Sequence, residues 1–262
     1  MPAALFRYRA IEARHAAGWV PLVSLLVGIA AVIFTAWIIP VLPTQVNAFM
    51  ERAFLIRGYG AIILLNEYIG IYLLAYFSGV IGLMRALVEP RENRSLEMLL
   101  SKPISRRVFL EARVGPALLS SVIVGGVMSV VTGLVVRPYT GEGAPVSVEG
   151  AMGAGLFLTA LAVLLLAVLV IPLLRVADTF QGLIIAFVLW VVTMMPLAAL
   201  LYRPDLYEGR ERLRDLIALG PNLIWFDSEM LRLGVLALGV ACVASWGALV
   251  LGARVFERTE LR

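Results

Sequence analysis

The chain has 262 residues, of which 61% are hydrophobic and only 15% charged, with a formal net charge of +4 and a mean hydropathy of +0.94. Soluble domains run at roughly 45–50% apolar and about 25% charged, so this composition leaves too little polar surface to cover a soluble fold. One cysteine excludes an intramolecular disulfide, and one histidine leaves no His/Cys cluster for zinc.

The basic residues are 21 arginines and a single lysine, Lys102. A phosphate-binding P-loop requires Gly-Lys-Ser/Thr, whereas Lys102 lies between Ser101 and Pro103. The chain therefore has no P-loop, and the sequence points to no catalytic residue, cofactor or metal of its own. The excess positive charge fits membrane topology better than a nucleic-acid partner.

A bilayer core about 30 Å thick takes about 20 apolar residues of helix. In chain order, residues 1–17 carry Arg7, Arg9 and Arg14 and read as an interfacial helix. Six spans follow, at about 18–39, 61–84, 114–136, 151–174, 179–201 and 233–253, giving an all-α membrane protein with one transmembrane domain over 1–262. The first reads as an uncleaved span, because its apolar run is too long for a signal peptide.

Residues 40–60 hold Pro40 and Pro43, then Val46, Phe49, Met50 and Phe54 at helical spacing, which predicts an amphipathic helix on the outer surface. The second span is apolar except for Asn66 and Glu67. An intramembrane carboxylate is a functional candidate, as a proton or cation site. However, 68–84 alone covers about 25 Å of helix, so Glu67 can equally sit at the outer interface beside Asn66, lining a vestibule or substrate path.

Pro172 and Pro196 lie inside spans and predict kinks. Arg175 and Asp178 predict a local ion pair in the turn between spans four and five. Residues 202–232 form the longest outer connection; its apolar piece, Leu216 to Phe226, is broken by Gly220-Pro221. With both termini cytoplasmic, 14 of the 22 basic residues fall on that side, so the positive-inside rule gives an N-in, C-in topology.

The densest cytoplasmic segment is the loop between spans two and three, 89–105. Pro90 suits a first helical turn, and Leu96, Leu99 and Leu100 recur at i, i+3, i+4 to make one apolar ridge. Pro103 stops that helix, and Ser105 can cap a second one leading into the third span. A basic amphipathic helix can simply lie in lipid headgroups. Here Glu89, Glu92, Glu97 and Glu111 interleave with the arginines, which weakens attraction to anionic lipid. The helix is also tethered to a span at each end, as a mechanical coupling element must be.

The run Glu92-Asn93-Arg94-Ser95-Leu96-Glu97-Met98-Leu99-Leu100-Ser101-Lys102-Pro103-Ile104-Ser105-Arg106 resembles the E-x-G-T-L-E-L-L-L-S-x-P-x-S-R motif of ABC exporter permeases of the ABC type 2 class. Two positions depart from it: Arg94 replaces a glycine, and Ala112-Arg113 replaces a frequent Gly-Lys. The resemblance implies that this loop is a coupling helix docking on a separate ATPase subunit. Leu96, Leu99 and Leu100 would form the ridge, Glu92, Glu97 and Arg106 its polar rim, and Pro103 its stop, with Ser95 in the same docking segment. The N-terminal segment would be the interfacial connecting helix beside it.

The same resemblance implies two ATPase copies that bind ATP and Mg, and a second permease forming a homodimer or heterodimer with the substrate path between them. It also implies a multi-pass protein of a prokaryotic cell membrane. The rival reading is a stand-alone secondary transporter or channel using Glu67. Such a protein is expected to show several intramembrane charges or paired broken helices.

Overall fold

The computed structural model describes residues 2–54, 58–95, 105–140, 146–202, 204–213 and 229–259. These are almost entirely helical, and no strand occurs among them. The helices are α1 (Pro2–Ala17), α2 (Val20–Ile38), α3 (Thr44–Phe54), α4 (Tyr59–Leu83), α5 (Glu89–Glu92), α6 (Arg106–Val136), α7 (Val148–Leu173), α8 (Thr179–Tyr202) and α9 (Glu229–Thr259).

Six of them, α2, α4, α6, α7, α8 and α9, are long and apolar enough to cross a membrane. They include the six sequence spans, each differing at its ends by a few residues. The largest differences are at α6, which begins eight residues earlier as a continuous helix from Arg106, and at α9, which starts four residues before and ends six residues beyond its expected span. The expected outer-surface helix is α3, which starts directly after the Pro40–Pro43 stretch. Pro172 and Pro196 lie inside α7 and α8, and a third proline, Pro116, lies inside α6.

Three helices form the interior. α4 packs on α6 and α7, and α6 also packs on α7. Around them, α9 lies along α7, α2 leans on α6 and α4, and α1 crosses the foot of α6. Close approach depends on small residues. A Cβ on Gly153 of α7 would collide with the Met230 carbonyl of α9, and one on Gly234 of α9 would collide with the Gly153 carbonyl. Such backbone contact maximises dispersion where lipid supplies no hydrophobic drive for association.

Two apolar clusters stack along the bundle. The lower one gathers Ala16, Leu83, Leu87, Phe109, Leu110, Leu169 and Leu173 around the end where α1 lies. The upper one gathers Val32, Ile63, Leu64, Tyr68, Met128, Val136 and Met230 at the opposite end.

Candidate functional site

The loop between α4 and α6 leaves the bundle through an unusual winding. Met84–Val88 forms a single π turn continuous with α4, a rare distortion that concentrates at functional positions. Arg113 of α6 reaches into it, and Nη1 donates to the Ala86 carbonyl at 3.0 Å. The same guanidinium donates from Nε to Glu12 of α1 at 2.8 Å.

Both partners are buried, Glu12 with 5% and Arg113 with 8% of its surface exposed. A charge in such a place must be paired and hydrogen-bonded to be tolerated. One side chain thus ties three elements: α1, the π turn and the foot of α6. Burial and the neighbouring Glu12 carboxylate push the Tyr8 phenol above its ordinary pKa, against the opposing pull of Arg113. On the outer flank, Glu111 accepts from Arg107 at 2.7 Å and Arg9 at 3.3 Å.

Beyond the π turn, Pro90 starts the short helix α5, as its fixed φ favours. Arg91 Nη1 donates to the Leu173 carbonyl at 3.0 Å and to the Val176 carbonyl at 3.4 Å. Glu92 Oε2 accepts from the Thr179 hydroxyl at 2.6 Å and from the Thr179 amide at 3.4 Å. A cation therefore sits at the C-terminus of α7 and an anion at the N-terminus of α8, each opposite the complementary end of a helix dipole. Adjacent residues of α5 clamp the turn that joins two spans.

Two residues beyond α5 comes Arg94, whose φ is +54°. This is the left-handed conformation that glycine adopts freely and that costs other residues about 1–2 kcal/mol. It falls at the motif position where glycine is usual. Ser95 Oγ turns back to the Pro90 carbonyl at 3.3 Å. Leu96, Glu97, Leu99, Leu100 and Pro103 lie outside the described residues. On the far side of that gap, Ser105 Oγ caps α6 by accepting from Val108 N at 3.4 Å, as its sequence position predicts. Arg106 opens α6.

The expected Arg175–Asp178 partnership takes another form, because Asp178 Oδ1 instead accepts from the Gln181 amide at 2.8 Å and caps α8. Asn66 and Glu67, adjacent in sequence, part company. Asn66 is exposed, and its amide donates to the Ile62 carbonyl at 2.9 Å. Glu67 is 4% exposed, two turns inside α4, and hydrogen-bonds the Thr35 hydroxyl of α2.

Sequence reasoning missed the Glu12–Arg113 pair and the Arg91 clamp. The signal for the first was an acid on the helix α1 and a basic residue at the foot of a span. No group of three or more His, Cys, Asp or Glu able to hold a metal occurs among the described residues. No protein family matches this chain, and no curated protein does either.

Proposed function

We propose that this chain is the transmembrane permease subunit of an ATP-driven exporter of the ABC type 2 class. It would work as a permease dimer coupled to two separate ATPase subunits, with both termini cytoplasmic. The observation that carries this reading is the rooting of the α4–α6 loop at both ends. Arg91 and Glu92 fasten its start to the α7–α8 turn, and Arg113 and Glu111 fasten its exit to α1. A push on the loop from below therefore reaches four membrane helices and the interfacial helix together. The left-handed backbone at Arg94 supports the same reading, because it meets the conformational demand of the motif's glycine position.

The test is association with the ATPase. Replacing Leu99 and Leu100 together by Asp is expected to abolish co-purification of the ATPase subunit while membrane insertion and monodispersity persist. Unchanged association overturns the coupling-helix assignment. The buried Glu67 favours a second reading, a stand-alone transporter or channel. Transport in liposomes without ATP, lost in Glu67→Gln, would establish that reading instead.

A further inference from the structure

We propose that Glu67 is a proton-binding latch between α4 and α2. Its carboxyl holds a proton while the two helices are closed, and loss of that proton frees the end of α2 next to α3. Glu67 is 4% exposed and lies two turns inside α4. Its hydrogen-bond partner is the Thr35 hydroxyl of α2. One hydroxyl serves only one of the roughly four acceptor sites of an ionised carboxylate, whereas the neutral acid has no charge to satisfy.

The surroundings offer the charged form nothing more. Ile63, Leu64 and Ile71, one turn to either side of Glu67, belong to the upper apolar cluster, as do Val32 and Ile39 beside Thr35. No basic residue occurs on α2, α4 or α7, or on α6 between Arg113 and Arg137. On α4 the neighbouring Tyr68 is committed to the Ala151 carbonyl, to which it donates at 3.5 Å. The charged residues of the packed helices at this end of the bundle are Glu51 and Arg52 of α3, Glu149 of α7 and Glu229 and Arg232 of α9, all in terminal turns, with Arg137 beyond α6. Glu51 accepts from the Gly58 amide at 2.8 Å. Among the described residues no ion pair includes Glu67. A carboxyl in such a place is tolerated as the neutral acid.

Position makes this proton mechanical. α2 carries only two hydroxyl side chains, Ser24 and Thr35, and Thr35 stands one turn from the helix end at Ile38. The opposite end of α2 runs into α1, which the Glu12–Arg113 pair holds to α6. Midway, Gly28 lets Met128 of α6 and Leu74 of α4 approach closely. The remaining end rests on apolar contact and on the Glu67–Thr35 bond. An ionised Glu67 draws water between the helices, and α2 swings with the start of α3, whose Asn47 amide donates to the Ile39 and Leu42 carbonyls. The closed arrangement binds a proton that the hydrated, open one gives up, so acid favours closure and alkali favours opening.

The latch rests on neither reading of function, and its test needs neither ATPase nor cargo. The full chain alone, purified in detergent, is measured by infrared absorption, where a protonated carboxyl shows a carbonyl band that ionised carboxylates lack. The wild type is expected to show this band at neutral pH and to lose it reversibly on alkalinisation. Glu67→Gln should lack the band at every pH, and Glu149→Gln, at an exposed acid, should keep it. Thr35→Val should move it to higher frequency, as loss of its hydrogen bond requires.

Spin labels on Ile33→Cys and Ile69→Cys, both exposed sites, report the α2–α4 spacing in a Cys242→Ser background. The spacing is expected to widen as the band disappears, and to stay fixed at every pH when Glu67→Gln is added. Any of four results would overturn the latch: no band at neutral pH, a band that survives until the chain unfolds, a spacing that stays fixed while the band is lost, or a Glu67→Gln chain that opens as the wild type does.

Discussion

α4 and α8 are matched in sequence and opposite in structure. Their most apolar windows have the same mean hydropathy, yet 72% of the α4 window is buried and only 11% of the α8 window. What separates them is side-chain size by face. α4 offers Gly60, Ala61, Ala75, Ser78, Gly79 and Gly82 to its neighbours, whereas α8 turns Phe180, Ile184, Phe187, Val188 and Met195 outward. In a bilayer, apolar content qualifies a helix to span, and small residues decide which spans pack. α8 is held instead by a few long reaches: Tyr76 donates to the Ala186 carbonyl at 2.8 Å, Tyr72 meets Thr193 at 3.3 Å, and Phe77 lies against Trp190.

The largest test of the contrast is where α4 leaves the bundle. Arg113→Ala removes the cation that holds the π turn to α1 and leaves Glu12 buried without its partner. Breaking such a pair costs about 3–5 kcal/mol. Thermal unfolding in detergent should show a large drop in Tm, and exchange of the Ala86–Val88 amides should accelerate. Arg113→Ala with Glu12→Leu, which removes both charges, should recover much of the loss. A small single-variant effect would mean that the exit of α4 is held by apolar packing alone.

A glycine on each helix gives the next test. A Cβ on Gly82 of α4 would lie 2.7 Å from the Ala117 Cβ and 3.1 Å from its Cα, so backbone must move. On α8, a Cβ on Gly182 would meet the Met84 Sδ at 2.6 Å, the yielding end of a flexible side chain. Gly82→Leu is expected to cost about 1–3 kcal/mol or more through overpacking, and Gly182→Ala much less. Equal Tm losses would break the distinction between an inner and an attached helix.

The six long apolar helices, the helices at Pro2–Ala17 and Thr44–Phe54 and the Ser105 cap were legible in the sequence because each follows from a local rule: length, periodicity or capping chemistry. The partners were not. Glu12 and Arg113 are 101 residues apart, and nothing local distinguishes Arg113 from the arginines that stay exposed. The π turn has no periodic signature either, since Met84–Val88 reads as ordinary helix. Glu67 and Asn66 separate because one helical step turns a side chain by about 100°, which placed one inside and the other out. The motif drew attention to Arg94 through its departure from glycine, and the backbone there kept the conformation that glycine would supply.

That departure makes a prediction of opposite sign. If the turn after α5 is held left-handed by its surroundings, Arg94→Gly relieves about 1 kcal/mol of strain, less the backbone entropy glycine adds to the unfolded chain. The expected outcome is a modest rise in Tm or no change, with the Arg91 and Glu92 clamp on the α7–α8 turn retained. A clear fall would show that the arginine side chain makes a contribution its conformation conceals.

The smallest effect belongs to α8. Tyr76→Phe deletes the hydroxyl that reaches the Ala186 carbonyl and leaves the ring stacked on Tyr72 and edge-on to Phe77. Hydrogen bonds between membrane helices average about 0.6 kcal/mol, so global Tm should barely move. The local consequence is larger than the global one, because α8 has few other ties. Exchange of the α8 amides should rise in Tyr76→Phe while those of α4 stay protected. Phe187→Leu, on the outward face, should change neither. If Tyr76→Phe instead lowers protection equally in both helices, α8 is an integral part of the core, and its shallow burial is compensated by the aromatic bridge.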